Sequence, residues 1–188
     1  QFLGNIRECD AIAHVLRCFE DDDITHVEGS VDPLRDAETI ETELMLADLD
    51  SLERRYDQAQ KKAKGNDREA KDQVAVMEPL LAALRDGKPA RSVEFSKEQQ
   101  VTVRRLQLLT DKPIMYICNV GEEDAATGNA FSAKVEEWAK SQGATAVTIA
   151  AAIEAEVASL PSEEERSEFL ESLGLSEPGL VRVIRSGY

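Results

Sequence analysis

The stretch PIMYICNVGEED, residues 113–124, decides the fold. Pro113 to Cys118 reads as a short buried strand, and Asn119-Val120-Gly121 turns the chain out of it. Working outward, a helix is predicted from Ala130 to Ser141 with Gly143 as its stop, then a second apolar strand from Ala144 to Ile149. A helix starts at Ala151, Ser162 with Glu165 caps another that ends at Gly174, and a last one runs from Glu177 towards Tyr188. Upstream, AIAHVLRCF (residues 11–19) is a third strand candidate, and a short helix covers Ser96 to Leu109. Strands alternating with helices at this spacing predict an α/β fold with a parallel, doubly wound sheet.

Between the first strand and the rest lies a segment of different period. Asp32 is an N-cap candidate with Pro33 at the first helical position, and the helix runs to about Lys64. Its apolar positions Met45, Leu49, Leu52, Tyr56, Ala59 and Ala63 recur at alternating steps of four and three, a heptad stripe. Lys64-Gly65-Asn66 breaks it, Asn66 with Glu69 offers a capping box, and Ala70, Val74, Met77, Leu81 and Leu84 repeat the stripe. Two such stripes joined by a tight turn predict an antiparallel coiled-coil hairpin. It is placed at residues 44–95, inserted between α/β parts at residues 1–43 and 96–188.

The chain of 188 residues is 42% hydrophobic, enough for a real core, but its apolar runs are far shorter than the roughly 20 residues that cross a bilayer. No membrane association and no export signal are expected. Cys9, Cys18 and Cys118 have neither CxxC spacing nor histidine companions, and read as reduced cytoplasmic thiols. The net charge of −15 argues against a protein that coats nucleic acid. That charge is uneven: residues 53–72 hold seven Lys/Arg against five Asp/Glu, a local +2, so the remainder carries −17. Lys61, Lys62 and Lys64 flank the hairpin turn, where they either contact RNA phosphates or simply complement the helix dipole.

In open parallel sheets ligands bind beyond the carboxyl ends of the strands. After the central strand, Asn119-Val120-Gly121-Glu122 stands where GTPases with a phosphate-binding loop carry Asn-Lys-x-Asp, whose Asp accepts from guanine N1–H and the 2-amino group. Val120 in place of Lys can still pack on a purine, but Glu122 is too long to take the place of that Asp. Adenine offers an acceptor at N1 and a donor at its 6-amino group, so the change leaves room for ATP. A turn-forming Asn alone would also explain the spot. The next strand ends at Thr148-Ile149-Ala150-Ala151, small residues that let backbone approach a base or merely begin a helix. His14 reads as a core histidine with one satisfied nitrogen, His26 as a loop histidine beside acidic residues, and Glu20 to Asp23 as a solvated acidic loop rather than a metal site.

The runs NIRECDAIAHVLRCFEDDDITHVEGSVDP, ETELMLADLDSLERR, QKKAKG, NVGEED and EPGLVRVIRSGY closely resemble the YchF/Obg-like ATPase family over essentially the whole chain. The resemblance implies part of a P-loop NTPase domain of the translation-factor GTPase class, with a helical insertion, a C-terminal TGS domain and ribosome association. It makes Asn119, Val120 and Glu122 the altered base-specificity motif, Ala150 and Ala151 the last nucleotide loop, and His26 the group that positions the attacking water. The glycine-rich phosphate loop and the Ser/Thr that binds Mg2+ are expected upstream of Gln1, and the TGS domain downstream of Tyr188. The implied partners are ATP, with GTP the alternative, and the ribosome or its RNA. A GTPase of relaxed base specificity and a ribosome-binding scaffold with incidental hydrolysis are the rival readings.

Overall fold

In the computed structural model, which describes residues 2–21 and 30–187, the chain runs α1 (Phe2–Arg7), β1 (Ile12–Arg17), α2 (Pro33–Lys64), α3 (Arg68–Arg85) and α4 (Lys97–Leu106). It continues through β2 (Ile114–Asn119), α5 (Ala130–Ser141), β3 (Thr145–Ile149), α6 (Ala151–Ser159), α7 (Glu163–Ser172) and α8 (Gly179–Gly187). Two units form: Gln1–Ile12 with Glu38–Pro113, and Ala13–Ala37 with Ile114–Tyr188. The first contains the whole of the expected hairpin, and α1 and α4 with it.

The helical unit is built as the stripes require. Leu52 and Ala59 of α2 meet Val76, Met77, Leu80, Leu81 and Leu84 of α3, and Met45, Leu49, Tyr56 and Val74 pack partly buried against them. The two-helix core also takes in Ala90, Val103, Leu106 and Leu108, so α4 closes a face that two short stripes could not bury alone. Truncating a side chain such as Leu80, fully buried here, typically costs about 2–5 kcal/mol. The turn differs in detail from the expected capping box on Asn66. Asn66 takes the left-handed conformation at φ 69°, which Asn tolerates better than most residues, and Asp67 is the N-cap, its side chain accepting from Ala70 N.

One feature of this unit interrupts its apolar pattern. Asp48 of α2 is 0% exposed, and its Oδ1 accepts from Leu109 N at 2.8 Å while Oδ2 accepts from Thr110 N at 2.8 Å and Thr110 Oγ1 at 2.7 Å. Arg7 lies 3.5 Å from the same carboxylate. Thr110 passes the network on: Ala90 N donates to its hydroxyl, and Arg91 donates to its carbonyl and pairs with Glu41. The segment after α4 therefore has its backbone donors satisfied by a carboxylate two heptads from the hairpin turn.

In the second unit the strands lie in the order β1-β2-β3. β2 and β3 are parallel, with Met115 opposite Thr145 and Asn119 opposite Ile149. Hydrogen bonds from Ile12 N to Pro113 O and from Cys18 N to Asn119 O set β1 in the same direction. The order is sequential across the described strands. Trp138 of α5 packs edge-on against Tyr116 of β2, with ring centroids 5.0 Å apart. Cys18 and Cys118 are buried free thiols sharing a hydrogen bond, which together with burial pushes Cys118 well above the ordinary thiol range.

β1 is less buried than its apolar composition suggests: Val15 is 60% exposed, and only Leu16 and the following Cys18 are enclosed. His14, expected to be a core histidine with one satisfied nitrogen, is half-buried; its Nδ1 is enclosed without a hydrogen-bond partner, and burial lowers its pKa, with Asp36 opposing. At an outer strand, apolar residues have one covered face instead of two, so composition overstates burial.

Candidate functional site

The carboxyl ends of all three strands are tied to one another by hydrogen bonds. Cys18 N donates to Asn119 O at 2.8 Å, and Val120 N donates to Ile149 O at 2.9 Å. Helix α6 begins directly after β3, and its N-cap residue, Ala150, has no side chain with which to accept from the free amides of the first turn. Asn119 supplies the missing acceptor from the neighbouring strand: its Oδ1 takes the Ala151 N–H at 2.9 Å. Asn119, Ala150 and Ala151, singled out separately in the sequence, thus form one structural feature.

The other two members of the motif divide. Val120 is only 3% exposed, so its side chain serves the core in this conformation and offers little surface to a base. Glu122 is exposed at the start of a single 3-10 turn, Glu122–Asp124, closed by Asp124 N donating to Gly121 O at 3.1 Å. The Glu123 carboxylate folds back over Gly121, where a Cβ would lie 2.7 Å from it.

Asn129 was not among the residues singled out. It is the N-cap of α5, its Oδ1 accepting from Ser132 N at 3.0 Å, and Ser132 Oγ accepts from Asn129 N in return. Its Nδ2 donates to Cys18 O at 2.7 Å and to Asp124 Oδ2 at 3.2 Å. Gly128 before it has φ +71°, and a Cβ there would lie 2.7 Å from Ser132 Oγ. The far side of the β3 end is held as well. Glu154 of α6 accepts from Gly179 N at 2.6 Å and Leu180 N at 3.1 Å, capping α8 from outside, while Arg182 donates to Thr148 O at 2.8 Å. The N-cap of α5 was legible from Gly128-Asn129 ahead of a helical pattern; the contacts across strands were not.

His26 lies outside the described residues, as does the loop 22–29 around it. Lys61, Lys62 and Lys64 are exposed in the last turn of α2, within the helical unit. Among the described residues there is no group of three or more His, Cys, Asp or Glu that could hold a metal ion. Among them, too, no helix is long and apolar enough to cross a membrane.

No family model matches the chain. The ribosome-binding ATPase YchF of Haemophilus influenzae is 53% identical over 188 residues, all of this chain and 51% of that protein. The proteins of the same name from Escherichia coli O157:H7 and Bacillus subtilis are 50% and 46% identical, again over the whole chain and 51% and 52% of their own lengths. Among solved structures, the Schizosaccharomyces pombe YchF GTPase superposes with a TM-score of 0.86 at 30% identity, over all of this chain and 51% of that one. The chain spans about half the length of the curated relatives it matches.

Proposed function

We propose that the chain is part of a YchF-family protein and that it supplies the purine-base side of the nucleotide site of a ribosome-associated ATPase. The observation that carries the reading is the Asn119 Oδ1 to Ala151 N bond, which locks the two strand-end loops together beside the exposed Glu122. Asn119 spends its acceptor on the loop, and its Nδ2, without a partner among the described residues, remains a donor. Glu122 adds a carboxylate able to accept from the 6-amino group of adenine. A donor and an acceptor on adjacent loops match the adenine edge, which presents N1 and the 6-amino group.

These residues bind and orient; the electrostatic stabilisation of phosphoryl transfer belongs to other parts of the site. Mg2+ would find its ligands outside the described residues, and no step is assigned to it. His26 is proposed to position the attacking water, and Lys61, Lys62 and Lys64 to meet ribosomal RNA. GTP is the second reading, favoured by the solved relative described as a GTPase.

Competition between ATP and GTP tests the reading, in a chain of the relatives' full length with and without Glu122→Asp. The shorter carboxylate restores the guanine-type fork and should move preference towards GTP by about tenfold, roughly 1.4 kcal/mol. An unchanged ratio would remove Glu122 from base recognition.

A further inference from the structure

We propose that Asn129 is a positioning residue for base recognition, holding the Glu122 turn in register with the end of β1; this rests on the base-site reading above. Helix capping does not by itself account for an asparagine at this position. Asp or Ser caps a helix as well as Asn does, because the cap needs only an acceptor for the N2 or N3 amide. What Asn adds is a donor, and both hydrogens of the Asn129 amide are used away from the helix, on Cys18 O at 2.7 Å and Asp124 Oδ2 at 3.2 Å. The side chain is half-buried, where a lost partner is not fully replaced by water.

The two acceptors are informative. Cys18 follows β1 and is itself paired to Asn119 through Cys18 N to Asn119 O. Asp124 closes the turn that starts at Gly121, and its carbonyl accepts from Gly128 N at 2.7 Å. Glu122 thus sits in a short turn pinned at both ends, by Val120 N on Ile149 O and by Asp124 on Asn129. Releasing the second pin frees the exposed Glu122 to wander relative to Asn119 without unfolding the sheet. A bound base would then find its donor and acceptor at a variable spacing, which weakens ground-state binding more than turnover.

The experiment uses a chain of the relatives' full length and measures KM and kcat for ATP and GTP together with the thermal midpoint. Asn129→Asp keeps the cap and loses both donors; it should raise KM for ATP about tenfold, leave kcat within about twofold, and narrow the ATP/GTP discrimination. Asp124→Ala cuts only the arm to the turn and leaves the cap intact, so it should raise KM in the same direction even if Asn129→Asp fails to fold. Ser132→Ala removes the hydroxyl that accepts from Asn129 N and donates to Asn129 O, leaving both Asn129 Nδ2 bonds in place, and should lower the thermal midpoint while leaving KM as it was. The proposal is overturned if neither Asn129→Asp nor Asp124→Ala raises KM, or if KM merely follows thermal stability across all three variants. Should Glu122→Asp shift base preference while these variants leave KM unchanged, only the positioning role falls; should Glu122→Asp also be silent, the base-site reading falls with it.

Discussion

Asp48 shows how much one side chain can organise. It is fully enclosed and accepts three hydrogen bonds from Leu109 and Thr110, all between 2.7 and 2.8 Å. Asp48→Ala would strand two backbone N–H groups and a hydroxyl in a dry interior, at about 1–3 kcal/mol for each lost partner. A loss of about 3 kcal/mol or more in chemical denaturation is expected, and less than about 1 kcal/mol would mean water replaces the carboxylate. Glu41 behaves differently. One oxygen pairs with Arg91, but Oε2 is enclosed without a partner, and burial raises its pKa, with Arg91 opposing and Asp48 adding to the rise. A raised folded pKa means the folded chain holds the proton to higher pH than the unfolded one. The stability this provides is present below the ordinary carboxylate value and is lost as pH rises through the raised one. Glu41→Gln cannot ionise and can still accept from Arg91, so its thermal midpoint should gain on the parent between about pH 4 and pH 7. A constant difference across that range would show that Glu41 does not titrate in the way its burial implies.

At the scale of elements, the hairpin is where pattern and structure agree most closely. α2 and α3 end and begin within a residue or two of the positions read from the stripes, because the heptad spacing records which face is buried. The turn between them carries Lys61, Lys62 and Lys64, all exposed, with Lys71 donating to Asn66 Oδ1 just beyond. If the tip meets RNA phosphates, replacing all three lysines with Ala should weaken ribosome binding and flatten its salt dependence by about two to three contacts, at about 0.7–0.9 log units each. Nucleotide hydrolysis without ribosomes should be unchanged. Equal binding by parent and triple variant across a salt series would leave the lysines as a solvated helix end. The strand-end loops, by contrast, are elements whose meaning came from their neighbours: Asn119 caps a helix 32 residues away.

For the whole chain, affinity for nucleotide is expected to be low. Base contacts contribute only part of the binding energy; the larger part in this class comes from backbone amides and a lysine around the phosphates. Calorimetry on the 188-residue segment should show no ATP binding tighter than about 100 µM. A dissociation constant of a few micromolar would mean a phosphate site exists among these residues after all. The net charge of −15 works in the same direction, since it repels the triphosphate.

By itself the sequence determined the class of fold, the helices and strands to within a few residues, and the hairpin, because periodicity and capping residues are local records of burial and of chain ends. It also marked Asn119, Val120, Glu122, Ala150 and Ala151, through their places after two strands. Tertiary structure alone decided what the polar side chains do. That Asp48 satisfies Leu109 and Thr110, that Asn129 reaches Cys18 and Asp124, that Val120 is spent on the core, and that His14 keeps an unpartnered nitrogen all depend on residues brought together from distant parts of the chain. A hydrophobic residue needs only the right face, which a period reveals; a hydrogen bond needs one particular partner at about 3 Å, and no local pattern names it.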